Sequence, residues 1–265
     1  MIYLSFYCTL FLVFLINAAP IWEDYDSDGE EYRILNNGEF GEYFEGDMVL
    51  TPVQIKAVTN AQGGRNGLKD NTKRWPERVV VYNIEEEDFD EDQIEMIENG
   101  LAEITNKSCI TFRKQKGDEH AVIIQGSANG CFSGVGYNKA NDSEESSQVL
   151  NLSKGCFKHG TIVHEMLHTL GFYHMQSAHD RDEYVEIVWD NIKEGLEHNF
   201  AKYNNDTVTD FGVPYDYGSV MHYPGGAFSK NGNNTIIPLK EGVIIGQRKG
   251  MSESDILKLN KMYCD

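Results

Sequence analysis

The stretch that most constrains the fold is Thr161-Ile162-Val163-His164-Glu165-Met166-Leu167-His168-Thr169-Leu170-Gly171-Phe172-Tyr173-His174. On an α-helix, His164 and His168 differ by only ~40° in direction, so both imidazoles leave the same side. Ile162, Val163, Met166, Leu167 and Leu170 cluster roughly opposite, on a face the helix must bury. Glu165 is rotated about 100° from His164, so it can miss an ion held by the pair and still reach a water on that ion. Gly171 can take the left-handed conformation that ends a helix. Three residues beyond it, His174 can swing back toward the pair. The pattern requires a buried helix, a sharp stop and a returning loop.

Three imidazoles beside one carboxylate form the donor set of a catalytic zinc site, which keeps one position open. A structural zinc site fills all four positions and has no use for Glu165. The spacing therefore implies one Zn2+ per chain, held by His164, His168 and His174. His120, His159, His179, His198 and His222 lack such spacing and read as surface or structural groups. The expected chemistry is metal-assisted hydrolysis, in which Glu165 takes a proton from a zinc-bound water attacking a peptide carbonyl and gives it to the leaving amine.

The chain has 265 residues, of which 40% are hydrophobic, enough for a sizeable core. Its formal net charge of −19 argues against nucleic acid and anionic membrane surfaces as partners. Tyr3 to Ile16 is uncharged and mostly apolar, with Ala18 and Ala19 behind it. That run is short for a bilayer span and reads as a secretory signal peptide over residues 1–18, with no membrane anchor. Removing it removes Cys8 and leaves Cys109, Cys131, Cys156 and Cys264, an even set that suggests two disulfides among three possible connectivities. Sequons at Asn106, Asn141, Asn151, Asn205 and Asn233 make these residues glycosylation candidates in a secreted, extracellular protein.

Residues 19–65 form a separate region. Pro20 to Arg65 holds ten acidic residues against Arg33, Lys56 and Arg65, and reads as an extended acidic arm without a core of its own. Asn60 to Gly67 is rich in Gly and Asn and marks a boundary, with Arg65 and Asn66 flanking a basic cleavage position. Residues 66–265 are patterned as one globular domain. Arg78 to Ile84, Cys109 to Arg113, Ala121 to Gln125 and Gln148 to Leu152 read as strands. Asp90 to Asn106 reads as a helix capped by Asp90 and Gln93, and Ser252 to Tyr263 as a closing helix capped by Ser252 and Asp255. After Gly171 the pattern is less regular.

The long histidine motif, with Ser219-Val220-Met221-His222 and Tyr223, resembles the astacin family of metzincin zinc peptidases. The resemblance covers nearly the whole chain. It extends through Arg65-Asn66-Gly67 with Trp75-Pro76, Lys107 to Phe112, and Gly130-Cys131-Phe132-Ser133. It implies an α+β, zincin-like fold. Such a fold has an N-terminal twisted mixed sheet with two long helices, an active-site helix at the cleft, and an irregular C-terminal subdomain ending in a helix. It implies a secreted zinc endopeptidase made as a zymogen and released by an activating protease. It further implies disulfides Cys109–Cys264 and Cys131–Cys156, a turn at Met221 beneath the metal, and Tyr223 near the zinc to stabilise the oxyanion. Protein or peptide substrates would lie extended along Cys131 to Gly136 as an added strand.

Two further segments carry more specific implications. Phe44-Glu45-Gly46-Asp47 resembles the aspartate switch of the family's propeptides, with Asp47 in the open metal position. Ile245-Gly246-Gln247-Arg248 resembles the segment of meprin-type members whose Arg lines the pocket for the residue after the cut, implying a preference for Asp or Glu there. The sequence departs from the family at Met175 and Ala178, where Glu and Arg are usual, while Asp180-Arg181-Asp182 persists. The competing reading is a catalytically silent binding protein of the same fold. Loss of Glu165 or of a ligand histidine would favour it, and all four are kept.

Overall fold

The chain forms a mixed sheet against which the histidine-bearing helix packs. The computed structural model describes residues 39, 41–59, 67–68, 71–139, 147–203 and 208–265. The expected signal peptide, Arg65, Asn66, Asn141 and Asn205 lie outside these residues. In chain order the elements are β1 (Met48–Val49), α1 (Pro52–Thr59), β2 (Gly67–Leu68), β3 (Val79–Ile84), α2 (Glu91–Lys107), β4 (Thr111–Lys114) and β5 (Ala121–Gln125). There follow β6 (Cys131–Gly134), β7 (Ser147–Leu152), α3 (His159–Thr169), β8 (Val185–Ile187), β9 (Val208–Thr209), β10 (Ile236–Pro238) and α4 (Glu253–Tyr263).

Six strands join in the order β1-β6-β7-β5-β3-β4. Only the β6–β7 pairing is antiparallel. Helix α2 begins at a capping box in which Gln93 N donates to Asp90 Oδ1 (2.8 Å) and Asp90 N to Gln93 Oε1 (3.0 Å). Its buried Ile97, Leu101 and Ile104 join Val80, Ile124 and Leu150 from the sheet and Ile162, Val163 and Leu167 from α3 in one core. The two helices approach closely at Gly100, where a Cβ would lie 2.7 Å from Ile162 Cγ2. This agrees with the α+β architecture expected, with α3 against β6 and β7.

The C-terminal part, expected to be irregular, has its own apolar cluster. Met175, Ala178, Val185, Ile187, Phe200, Tyr215, Tyr223, Phe228 and Ile236 pack there, and β8 pairs antiparallel with β10. Met175 and Ala178, the two departures from the family pattern, are buried in this cluster. Cys109 is bonded to Cys264 and Cys131 to Cys156, the pairing that the resemblance implies. The first bridge ties the end of α4 to the start of β4.

The N-terminal arm differs from its expected extended form. Asn36–Asp265 forms one compact unit, so the described part of the arm belongs with the rest. Thr51 N donates to Gln54 Oε1 (2.9 Å) and Gln54 N to Thr51 Oγ1 (3.3 Å), a capping box with Pro52 in the first turn that starts α1. Met48 and Val58 are buried in the main core. The acidic residues are concentrated before Met48, and the apolar ones after it supply the packing. One glycosylation candidate is also corrected. Asn151 is fully buried in β7, where its Nδ2 donates to the carbonyls of Ala128 (2.9 Å) and Gly130 (2.7 Å), so it has no space for a glycan. Asn106 and Asn233 are exposed.

Candidate metal centre and cleft

Helix α3 stops where the sequence requires. Gly171 has φ of 100°, its N–H donates to His168 O (2.8 Å), and Phe172 N–H donates to Leu167 O (2.9 Å). This double bond pattern is the Schellman stop, which satisfies the last carbonyls and reverses the chain toward His174. The same turn also orients a ligand, because Phe172 O accepts from His168 Nδ1 (2.8 Å). Val220 O accepts from His164 Nδ1 (2.8 Å), and Glu45 Oε2 from His174 Nδ1 (2.8 Å). Each Nδ1 is thereby the donor, which leaves each Nε2 lone pair for a metal.

The three Nε2 atoms converge. His164 Nε2 lies 3.1 Å from that of His168 and 3.4 Å from that of His174. Asp47 closes the group: its Oδ2 is 3.2 Å from the Nε2 of both His164 and His174, and its Oδ1 is 3.4 Å from His168 Nε2. All four donor atoms lie within 4.8 Å of one another and all four side chains are buried. Ligands ~2.0–2.1 Å from a tetrahedral zinc sit about 3.3–3.4 Å apart, so these spacings fit that ion. The charge environment also favours a cation. Burial works against protonated His174, yet Asp47 and Glu45 outweigh it and raise its pKa to about 9, so the site draws positive charge and a metal ion would take the place of the Nε2 proton. Burial, reinforced by the Arg248 charge, pushes His164 down to about 4 and keeps it neutral for ligation.

Glu165 is fully buried beside this group, and neither of its oxygens has a hydrogen-bond partner among the described residues. Burial pushes its carboxyl well above the usual range, and the charges of Asp47 and Glu39 add to the effect. An unpartnered buried carboxyl is costly and persists where it serves chemistry. Tyr223 lies against His174, with ring centroids 4.6 Å apart and the planes tilted by 52°, and its hydroxyl donates to Glu45 O. Met221 is fully buried, and the turn around it is closed by His222 N donating to Ser219 O (3.1 Å). Among the other histidines, His222 bonds Tyr215 Oη and Tyr223 O, and His120 bonds Gln148 Oε1, so both are structural.

The arm covers the histidine group and the β6 edge beside it. Strand β1 pairs in parallel with β6, Met48 opposite Ser133 and Val49 opposite Gly134, and Ser133 N donates to Asp47 O (2.9 Å). It occupies the edge where an extended substrate is expected. Gly46, at φ of 92°, makes the turn that aims Asp47 inward. Arg248 is not open to a ligand here, because its guanidinium is bonded to Glu39. Sequence reasoning missed Glu39 and Glu45 as cleft residues. Glu45 accepts from Ser177 Oγ (2.9 Å) and from Tyr203 Oη besides His174.

Three imidazoles, a donor set spaced for a tetrahedral ion and an unpartnered carboxyl beside it define a zinc metallopeptidase. The comparisons with known proteins agree. The astacin peptidase family matches residues 67–264. Seminal metalloprotease 1 of Drosophila melanogaster is 38% identical over 231 residues, covering 83% of this chain and 86% of its own. Zinc metalloproteinase nas-4 of Caenorhabditis elegans is 34% identical over 247 residues, covering 92% and 76%. The solved structure of high choriolytic enzyme 1, a hatching enzyme zinc-protease of Oryzias latipes, superposes with a TM-score of 0.63 at 32% identity, covering 77% of this chain and 95% of its own. The chain spans half or less of the length of several other relatives. It belongs to the astacin family and is a zinc metalloproteinase.

Proposed function

We propose that the chain is a secreted endopeptidase made as a zymogen, latent while Glu45, Asp47 and β1 cover its histidines and its β6 edge. The observation that carries this reading is Asp47 seated among the Nε2 atoms of His164, His168 and His174. Its carboxylate takes the position that a catalytic site leaves for water. Cleavage between Arg65 and Asn66 by an activating protease would then let the arm leave.

When held by the three imidazoles, zinc supplies Lewis-acid chemistry that acidifies a water and polarises a peptide carbonyl. Glu165 is the general base once departure of the arm removes the Asp47 and Glu39 charges that help to raise its carboxyl in the latent state. One of its oxygens takes a proton from the water as the water oxygen bonds to the carbonyl carbon. The same carboxyl then gives that proton to the amide nitrogen as the C–N bond breaks. Tyr223, freed from Glu45 O, turns its hydroxyl to the oxygen of the attacked carbon. Removing such a donor costs ~10²–10³ in turnover. The β6 edge, vacated by β1, would take the peptide as an added strand.

Arg248 would present a guanidinium to an acidic residue just after the cut, once released from Glu39. A relative's name and two disulfides support an extracellular setting: one relative is a seminal metalloprotease. The described residues include no helix long and apolar enough to cross a membrane. The test is activity on denatured casein before and after tryptic nicking at Arg65. Uncleaved wild type should be silent and uncleaved Asp47→Ala active. A silent uncleaved Asp47→Ala chain would overturn the switch.

A further inference from the structure

The arm is held at a second place that the metal does not require. Glu39 lies eight residues before Asp47, and its carboxylate is gripped on both oxygens. Arg248 Nε donates to Oε1 (3.1 Å) and Oε2 (3.0 Å), Arg248 Nη2 to Oε2 (2.7 Å), and Thr161 Oγ1 to Oε1 (2.9 Å). Both ionised side chains are only 4% exposed. This is a buried, charge-assisted fork, unlike the solvated pairs that contribute little.

The guanidinium is itself fixed from several sides. Arg248 Nη1 donates to the carbonyls of His222 (3.1 Å) and Gln247 (2.9 Å). The Arg248 carbonyl accepts from Gly160 N (3.0 Å) at the start of α3. Gly160 is needed for that approach, since a Cβ there would lie 2.0 Å from the Arg248 carbonyl carbon. The fork is therefore built into the frame that carries His164 and Tyr223, and a carboxylate fills it.

We propose that Glu39 is a second anchor of the arm, an intramolecular carboxylate that occupies the Arg248 site and excludes acidic peptide side chains from it. The proposal rests on the latency reading above. Asp47 blocks the metal and Glu39 blocks the guanidinium, so the arm closes two subsites with two carboxylates of one short segment. A glutamine at 39 keeps the shape but leaves the buried guanidinium without its counter-charge, the arrangement that weakens such pairs most.

The test is amide hydrogen exchange in residues 41–49 of the uncleaved full chain. Glu39→Gln should speed exchange there by about tenfold or more. Glu39→Arg should speed it at least as much, and adding Arg248→Glu should restore protection to within about threefold of wild type by re-forming the pair in reverse. Exchange in Glu39→Gln within about twofold of wild type would overturn the proposal, given that a broken buried ion pair costs more than that. So would a double variant no better protected than Glu39→Arg alone. Asp47→Ala activity is read separately. A silent Asp47→Ala chain with a loosened Glu39→Gln arm would sink the aspartate switch and leave the Glu39 anchor standing.

Discussion

Asp255→Ala should cost more than its place at the start of α4 suggests. Asp255 caps that helix through Ser252 N (3.0 Å to Oδ2), but the same oxygen also accepts from Val220 N (2.9 Å). Its Oδ1 accepts from Ser219 Oγ (2.6 Å). The side chain is fully buried, and burial holds its carboxyl above the usual aspartate range despite these donors. Alanine strands two backbone N–H groups and a hydroxyl, at about 1–3 kcal/mol for each group that water cannot reach. Relief from burying a carboxylate offsets part of this, so the net loss is roughly 2–4 kcal/mol. For a unit of this size that lowers Tm by roughly 4–16 °C. Asp255→Asn keeps an acceptor for both N–H groups and should lose under about 1 kcal/mol. The effect should also reach the metal. Val220 O orients His164, so zinc affinity should fall about tenfold in the alanine variant. Thermal unfolding by circular dichroism and a zinc competition titration measure the two consequences. Equal Tm values for the alanine and asparagine variants would refute the coupling.

Other outcomes follow from the same contacts. Gly160→Ala should destabilise by about 1–3 kcal/mol or more, since the clash is with Arg248 backbone and not a movable side chain; chemical denaturation checks it. Replacing Cys109 and Cys264 by serine should cost on the order of 5 kcal/mol against about 3–4 for Cys131 and Cys156, because the loops span 155 and 25 residues. An equal loss for both pairs would contradict the loop argument. Burial alone would raise the Glu39 pKa, but Arg248 and then His164 outweigh it and bring it below the usual glutamate value, with Asp47 opposing. The contact therefore stabilises the docked arm above that usual value and is lost as pH falls through the lowered one. Exchange protection of residues 41–49 should show no Glu39-dependent change from neutral pH down to the usual glutamate range.

The parts of the fold legible in the sequence are those set by local periodicity or by residues with one structural use. The α3 face, Gly171 and the capping boxes at Asp90 and Ser252 are of this kind, because each signal lies within a few residues. Helix α1 carries a similar signal in Thr51, Pro52 and Gln54, but it is only eight residues long and follows directly on an acidic segment whose composition dominates the arm as a whole. Strand β1 has two residues and exists only through pairing with β6. Which partner each carboxylate of an acidic arm meets is a tertiary fact, so Glu39 has no local signature and Glu45, though within the switch segment, shows nothing of its bonds to His174, Ser177 and Tyr203. Backbone acceptors such as Val220 O leave no mark in side-chain identity. The sequon at Asn151 shows the opposite failure, a local motif overridden by burial.

The central claim is that Glu165 performs the proton transfers at a zinc held by His164, His168 and His174. It is tested most directly by nicking wild type and Glu165→Gln at Arg65 and measuring zinc content and casein hydrolysis on the same samples. The variant should hold one zinc per chain, as wild type does, and lose activity by at least about a hundredfold. Chelation should silence wild type. A zinc-loaded Glu165→Gln chain retaining more than about a tenth of wild-type turnover would contradict the account.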